Sequence, residues 1–263
     1  MQIENVFKQN LSKTFTTIQR IIKQYPIIAI DTEFPGFFTD PLELSLKLGK
    51  NLSKSCSSFE LFCHNINNLK LIQLGIAFCD AQGNFPKPAA FSFYFKFDID
   101  NDICTDQSRV FLKENFKAND LRRFKEEGID PVNFSNLFLT SGLCYNPQLK
   151  YIVFHGNQDV GYLIRALTQQ NIKNLQEFKQ QYQSMLNKVY DLKTVINWEF
   201  GLQNLAEKAQ ISREGFEHQA GNDALLTLKL KLNKTFSHKS HIKVIQQTQL
   251  QMTQTKCQTL VSG

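Results

Sequence analysis

Apolar residues at Phe15, Ile18, Ile21 and Ile22 recur at helical spacing and predict an amphipathic helix over 12–24. Residues 26–30 read Pro-Ile-Ile-Ala-Ile, a short, apolar, β-branched stretch that predicts a buried strand. From 39 to 68 the chain is rich in Ser, Lys and Asn without a clear period, and reads as a long loop with one short strand over 59–63. Two strand-like runs, 69–78 and 91–97, flank the turn-rich connector AQGNFPKP, the signature of an antiparallel pair. Helical patterns follow at 109–116, 118–126 and 131–140, then a strand at 151–154. Helices at 159–168 and 174–186, a strand at 189–192, and helices at 202–208 and 220–231 complete the pattern.

This order predicts an α/β fold with a ribonuclease H-like mixed sheet flanked by helices: three antiparallel strands, then parallel strands alternating with helices. Acidic residues at the carboxyl ends of neighbouring strands would share one cleft. Residues 1–235 are expected to form that single domain, and 236–263 a Gln-rich basic tail. The formal net charge of +6 suggests nucleic acid, but its distribution weakens that inference. Beyond Asp223 the chain has six lysines and no acidic residue, so residues 1–223 carry no formal net charge. The functional argument therefore falls to the site. No stretch approaches the roughly 18 apolar residues of a membrane span, and the polar first ten residues do not resemble a secretion signal. Six cysteines without a C-x-x-C pair read as reduced thiols of an intracellular protein.

The predicted strand over 26–30 runs directly into Asp31-Thr32-Glu33-Phe34. Residues i and i+2 of a strand share a face, so Asp31 and Glu33 project together. Two such carboxylates repel unless a proton or cation intervenes, and a hard divalent ion suits oxygen ligands. A D-x-E alone is weak, since acids commonly flank turns. Asp159 falls in the first turn of a predicted helix, where a capping or dipole role competes with a functional one. Asp223 lies one turn into the last predicted helix, and His218 just precedes that helix. The helix terminus favours neutral imidazole there, which can accept a proton, while nearby carboxylates act in the opposite sense.

Taken together, these segments resemble the Caf/Pop deadenylases, DEDDh exonucleases that serve as nuclease subunits of the CCR–NOT complex. The resemblance rests on IIAIDTEFPG (27–36), NLKLIQLGIAF (68–78), FHGNQDVGYLI (154–164), VYDLK (189–193) and HQAGNDALLT (218–227), in collinear order. Residues 37–64 depart from the family pattern, and Gly156-Asn157-Gln158 replaces its usual Ser-Gly-Tyr. The resemblance implies Asp31, Glu33, Asp159 and Asp223 as ligands of two divalent cations, Mg2+ or, as the alternative, Mn2+, with His218 as general base. It also implies 3′→5′ hydrolysis of single-stranded poly(A) RNA to 5′-AMP, a NOT-type scaffold and a second deadenylase subunit as partners, and a cytoplasmic and nuclear location. Phe34, beside the acids, is a candidate surface for base stacking, with a core role the competing reading. Two rival functions are a same-fold exonuclease acting on other RNA 3′ ends and a catalytically silent scaffold-binding module.

Overall fold

The computed structural model describes residues 2–53, 55–215 and 217–233. Six strands, β1 (Ile3–Val6), β2 (Ile27–Glu33), β3 (Gln73–Cys79), β4 (Ala90–Tyr94), β5 (Lys150–Val153) and β6 (Val189–Asp191), form one sheet in the order β1-β4-β3-β2-β5-β6. β3 runs antiparallel to both of its neighbours, β2 and β4; β5 and β6 continue parallel to β2, and β1 lies parallel to β4. The helices are α1 (Leu11–Ile21), α2 (Pro41–Leu48), α3 (Ser58–Asn68), α4 (Asp106–Asn115), α5 (Ala118–Glu127), α6 (Pro131–Thr140), α7 (Asn157–Thr168), α8 (Leu175–Leu186), α9 (Leu192–Val195), α10 (Leu202–Lys208) and α11 (Ala220–Leu232). This is the mixed ribonuclease H-like sheet expected from the sequence, with β1 added at its edge.

The alternation along β2 decides which layer each helix joins. Ile28 and Ile30 point into a Phe-rich core shared with α1, α3, α6, α7 and α8. Ile27 and Ala29 point the other way, into a core closed by α10 and α11. That second face is built from small residues, which let α11 approach the sheet closely. A Cβ on Gly75 of β3 would lie 1.8 Å from the Ala220 carbonyl oxygen, and one on Gly221 would lie 2.1 Å from Ser92 Oγ. Most of α11 is buried as a result, including Leu225, Leu226, Leu228 and Leu230. Fully burying such side chains contributes about 1.5–3 kcal/mol each, which holds the start of α11 against β3.

The segment 39–68 corrects the sequence reading: it contains two helices and no strand at 59–63. Asp40 caps α2 by accepting from Leu42 N at 2.8 Å, Pro41 occupies the first turn, and Gly49 closes the helix at φ 61. A capping box starts α3: Ser57 Oγ accepts from Glu60 N at 3.2 Å, and Ser57 N donates to Glu60 Oε2 at 2.6 Å. Phe59, Phe62, Cys63 and Ile66 then fall on one buried stripe. Polar composition concealed a helical period that those four positions carry. The four-residue β1, with Glu4 and Asn5 inside it, is too short and too polar to show in the pattern.

The described cysteines, 56, 63, 79, 104 and 144, are buried, and 63, 79, 104 and 144 are free thiols; Cys257 and the Gln-rich tail lie outside the described residues. Burial pushes the Cys63 and Cys144 thiols up to about 12. Among the described residues no helix is long and apolar enough to cross a membrane.

Candidate functional site

Asp31 and Glu33 stand at the carboxyl end of β2 on the face that α11 covers, because they share the parity of Ile27 and Ala29. Thr32 points to the opposite layer and meets α7. Its backbone N–H and its hydroxyl both donate to Asp159 Oδ1, at 2.8 and 2.6 Å. α7 and α11 thus bring Asp159 and Asp223 to the strand end from opposite sides of the sheet.

Around Asp159, the turn from β5 into α7 is tied to β6. His155, at φ 59, donates its backbone N–H to Asp191 Oδ1 at 2.9 Å, and the same oxygen caps α9 by accepting from Lys193 N at 3.0 Å. On the other side, Gln73 Oε1 accepts from Ala220 N at 3.3 Å, fixing the first residue of α11 to β3. His218 is exposed, adopts φ 56, and rests edge-on against Phe111 of α4 with ring centroids 5.1 Å apart. Glu33, His218 and Asp223 each offer a ligand atom, and these atoms lie within 4.8 Å of one another.

The electrostatics show how crowded the negative charge is. Burial, followed by the charges of Asp159 and Glu33, raises Asp31 well above the usual carboxylate range, against a lowering influence from Arg213. Burial and then Asp159 push Glu33 up to about 8, again opposed by Arg213. Asp159 rises to about 7, because burial, helped by Asp191, outweighs the Thr32 hydrogen bonds. Glu33, His218 and Asp223 thus converge at one strand end, with Asp31 two residues before Glu33 on the same face of β2 and Asp159 hydrogen-bonded to Thr32 between them. A donor set of carboxylate oxygens and one imidazole, overloaded with negative charge, fits a hard divalent cation.

Phe34 combines its two expected readings only in part. It is half-buried, packs on the Phe-rich core, and stacks on Tyr162 at 4.8 Å with an interplanar angle of 22°. One of its faces is therefore taken by protein.

Sequence reasoning missed Arg213, whose guanidinium forms an ion pair with the Asp223 carboxylate and whose field reaches Asp31 and Glu33. It also missed the roles of Thr32, Asp191 and Phe111. Asp191 carried a signal, an acid at a strand end inside VYDLK; Arg213 and Phe111 carried none in their own segments.

Residues 6–136 match the model of the family described as CAF1 family ribonuclease. The poly(A) ribonuclease pop2 of Schizosaccharomyces pombe is 34% identical over 236 residues, covering 87% of this chain and 68% of that protein. The solved structure of S. pombe Pop2p in its Mg2+- and Mn2+-bound form superposes with a TM-score of 0.78 at 32% identity, covering 92% of this chain and 94% of the other. A yeast structure of the NOT1 MIF4G domain crystallised with CAF1 matches with a TM-score of 0.72 at 26% identity, covering 90% of each chain. On both sequence and fold, this chain belongs to the CAF1 family of ribonucleases.

Proposed function

We propose that this chain is a 3′→5′ exoribonuclease that shortens the poly(A) tails of messenger RNA, releasing 5′-AMP, with residues 1–235 as its nuclease domain. The observation that carries the reading is the convergence of Glu33, His218 and Asp223 beside Asp31 and Asp159, in a site where burial first, and neighbouring negative charge second, disfavours the ionised carboxylates. The names of the relatives add support: one is a poly(A) ribonuclease, and its structure carries Mg2+ and Mn2+.

Asp31, Glu33, Asp159 and Asp223 would hold two divalent cations, Mg2+ or Mn2+, which supply charge neutralisation at the phosphoryl oxygens and a more acidic water. His218, exposed at the mouth of the site, accepts the proton of the attacking water. The water oxygen bonds to the terminal phosphorus as the P–O3′ bond breaks, leaving 5′-AMP and an RNA one residue shorter with a free 3′-hydroxyl. Phe111 and the left-handed backbone at 218 limit the directions that the imidazole can take. Thr32 orients Asp159 with two hydrogen bonds to one oxygen, which leaves its second oxygen for a ligand.

The preference for adenine, action on RNA tails within the cytoplasm and nucleus, and membership of a CCR–NOT-type assembly with a NOT-type scaffold and a second deadenylase belong to the same proposal. The NOT1 complex of a yeast CAF1 supports the scaffold. The test is incubation with 3′-tailed oligo(A), mixed-sequence RNA and single-stranded DNA, in Mg2+ and then in EDTA, with products resolved nucleotide by nucleotide. Stepwise AMP release from oligo(A) that stops in EDTA is expected. Equal digestion of mixed RNA would remove the poly(A) preference, and no cleavage of any substrate would leave a scaffold-binding role.

A further inference from the structure

Arg213 lies in the turn between α10 and α11, and two contacts fix it there. Its Nε donates to Gln203 Oε1 of α10 at 3.0 Å, and its Nη1 forms the ion pair with Asp223. The two paired side chains are only 10% and 11% exposed, so water does little to screen them. The guanidinium also acts on Asp31 and Glu33, and so reaches three of the four acids expected to hold metal. A guanidinium does not lose its proton at any accessible pH. It is a permanent positive charge set into the only acid cluster that the described residues bring together with ligand geometry.

We infer that Arg213 is a displaceable counter-cation, which neutralises the acid cluster before metal arrives and releases Asp223 when divalent cations enter. The inference rests on the reading that these acids bind metal. Asp223 belongs both to the ion pair and to the group of converging ligand atoms, so the two cations compete for one carboxylate. Like charges at such separations repel strongly in a poorly solvated site. Gln203 holds the Nε, so it is the outer part of the guanidinium that yields. The arginine thereby keeps the acids together without metal, at the expense of metal affinity. It is a positioning residue in this role, acting through Asp223.

The test is calorimetric titration of the full chain with Mn2+, alongside thermal unfolding with and without Mn2+, for wild type, Arg213→Gln and Arg213→Lys. Arg213→Gln should bind Mn2+ about tenfold more tightly, as expected for loss of a competing charge, while its metal-free unfolding midpoint falls. Arg213→Lys, which keeps the charge, should bind close to the wild-type affinity. A merely structural arginine would make both the midpoint and the Mn2+ affinity of Arg213→Gln fall, and that result overturns the inference, as does unchanged affinity. A folded wild type that binds no Mn2+ overturns the metal reading itself, a result distinct from the other two.

Discussion

Asp31 and Asp223 are both acids at one site, yet their effects on the fold have opposite sign. Asp31 is raised by burial and by two negative neighbours, so its ionised form works against the folded state. Asp223 is paired with Arg213 in a nearly dry environment. Asp31→Asn should therefore abolish hydrolysis while raising the metal-free melting temperature; each kcal/mol relieved corresponds to about 2–4 °C for a chain of this size. Asp223→Ala should abolish hydrolysis and lower that temperature, because stranding a buried partner of an ion pair costs up to about 3–5 kcal/mol. Differential scanning calorimetry of the two variants in EDTA decides this, and shifts of the same sign would contradict the assigned roles. The five expected site residues were legible because each sits in a distinctive local string, such as DTEF or HQAGND. Arg213 was not, because what makes it part of the site is the approach of its turn to Asp223, Asp31 and Glu33, a tertiary fact with no local pattern.

Among the elements, α11 decides where Asp223 and His218 stand, and its seat depends on two glycines. Gly75→Ala would drive a methyl group into the Ala220 backbone, which has no flexible side chain to move aside. Overpacking of this kind typically costs about 1–3 kcal/mol. Here the displaced backbone also carries the residues beside His218, so activity should fall further than stability does. Urea unfolding and AMP release measured on the same Gly75→Ala preparation test this, and a variant with wild-type turnover would show that α11 has room to adjust. Most elements were readable from periodicity; α11, buried along nearly all its length, carries only a weak one. α2 and α3 were not, because their capping residues Asp40 and Ser57 make the segment look like a polar loop. A cap is a side-chain satisfaction of backbone N–H groups, and composition reads it as polarity. The length of β1 defeated the same method for a simpler reason: four residues, one a glutamate, pair at an edge where only β4 supplies a partner.

For the molecule as a whole, the acid cluster makes stability depend on pH in a direction opposite to most paired carboxylates. In the folded, metal-free protein Asp159 keeps its proton up to about 7 and Glu33 up to about 8, whereas the unfolded chain releases both near pH 4. Between those limits the native state binds more protons, so raising the pH destabilises it. Urea midpoints in EDTA should fall from pH 5 to pH 8, and added Mg2+ should reverse the trend by favouring the ionised acids. A flat profile in EDTA would show that the carboxylates ionise independently of folding. The order of the elements along the chain has one more consequence. The helix that seals the second face of the sheet and brings Asp223 to the site follows all the strands it covers, and it meets β3 across some 147 residues of sequence. Such distant pairing forms late. A nascent chain still on the ribosome thus holds an incomplete acid cluster until α11 emerges.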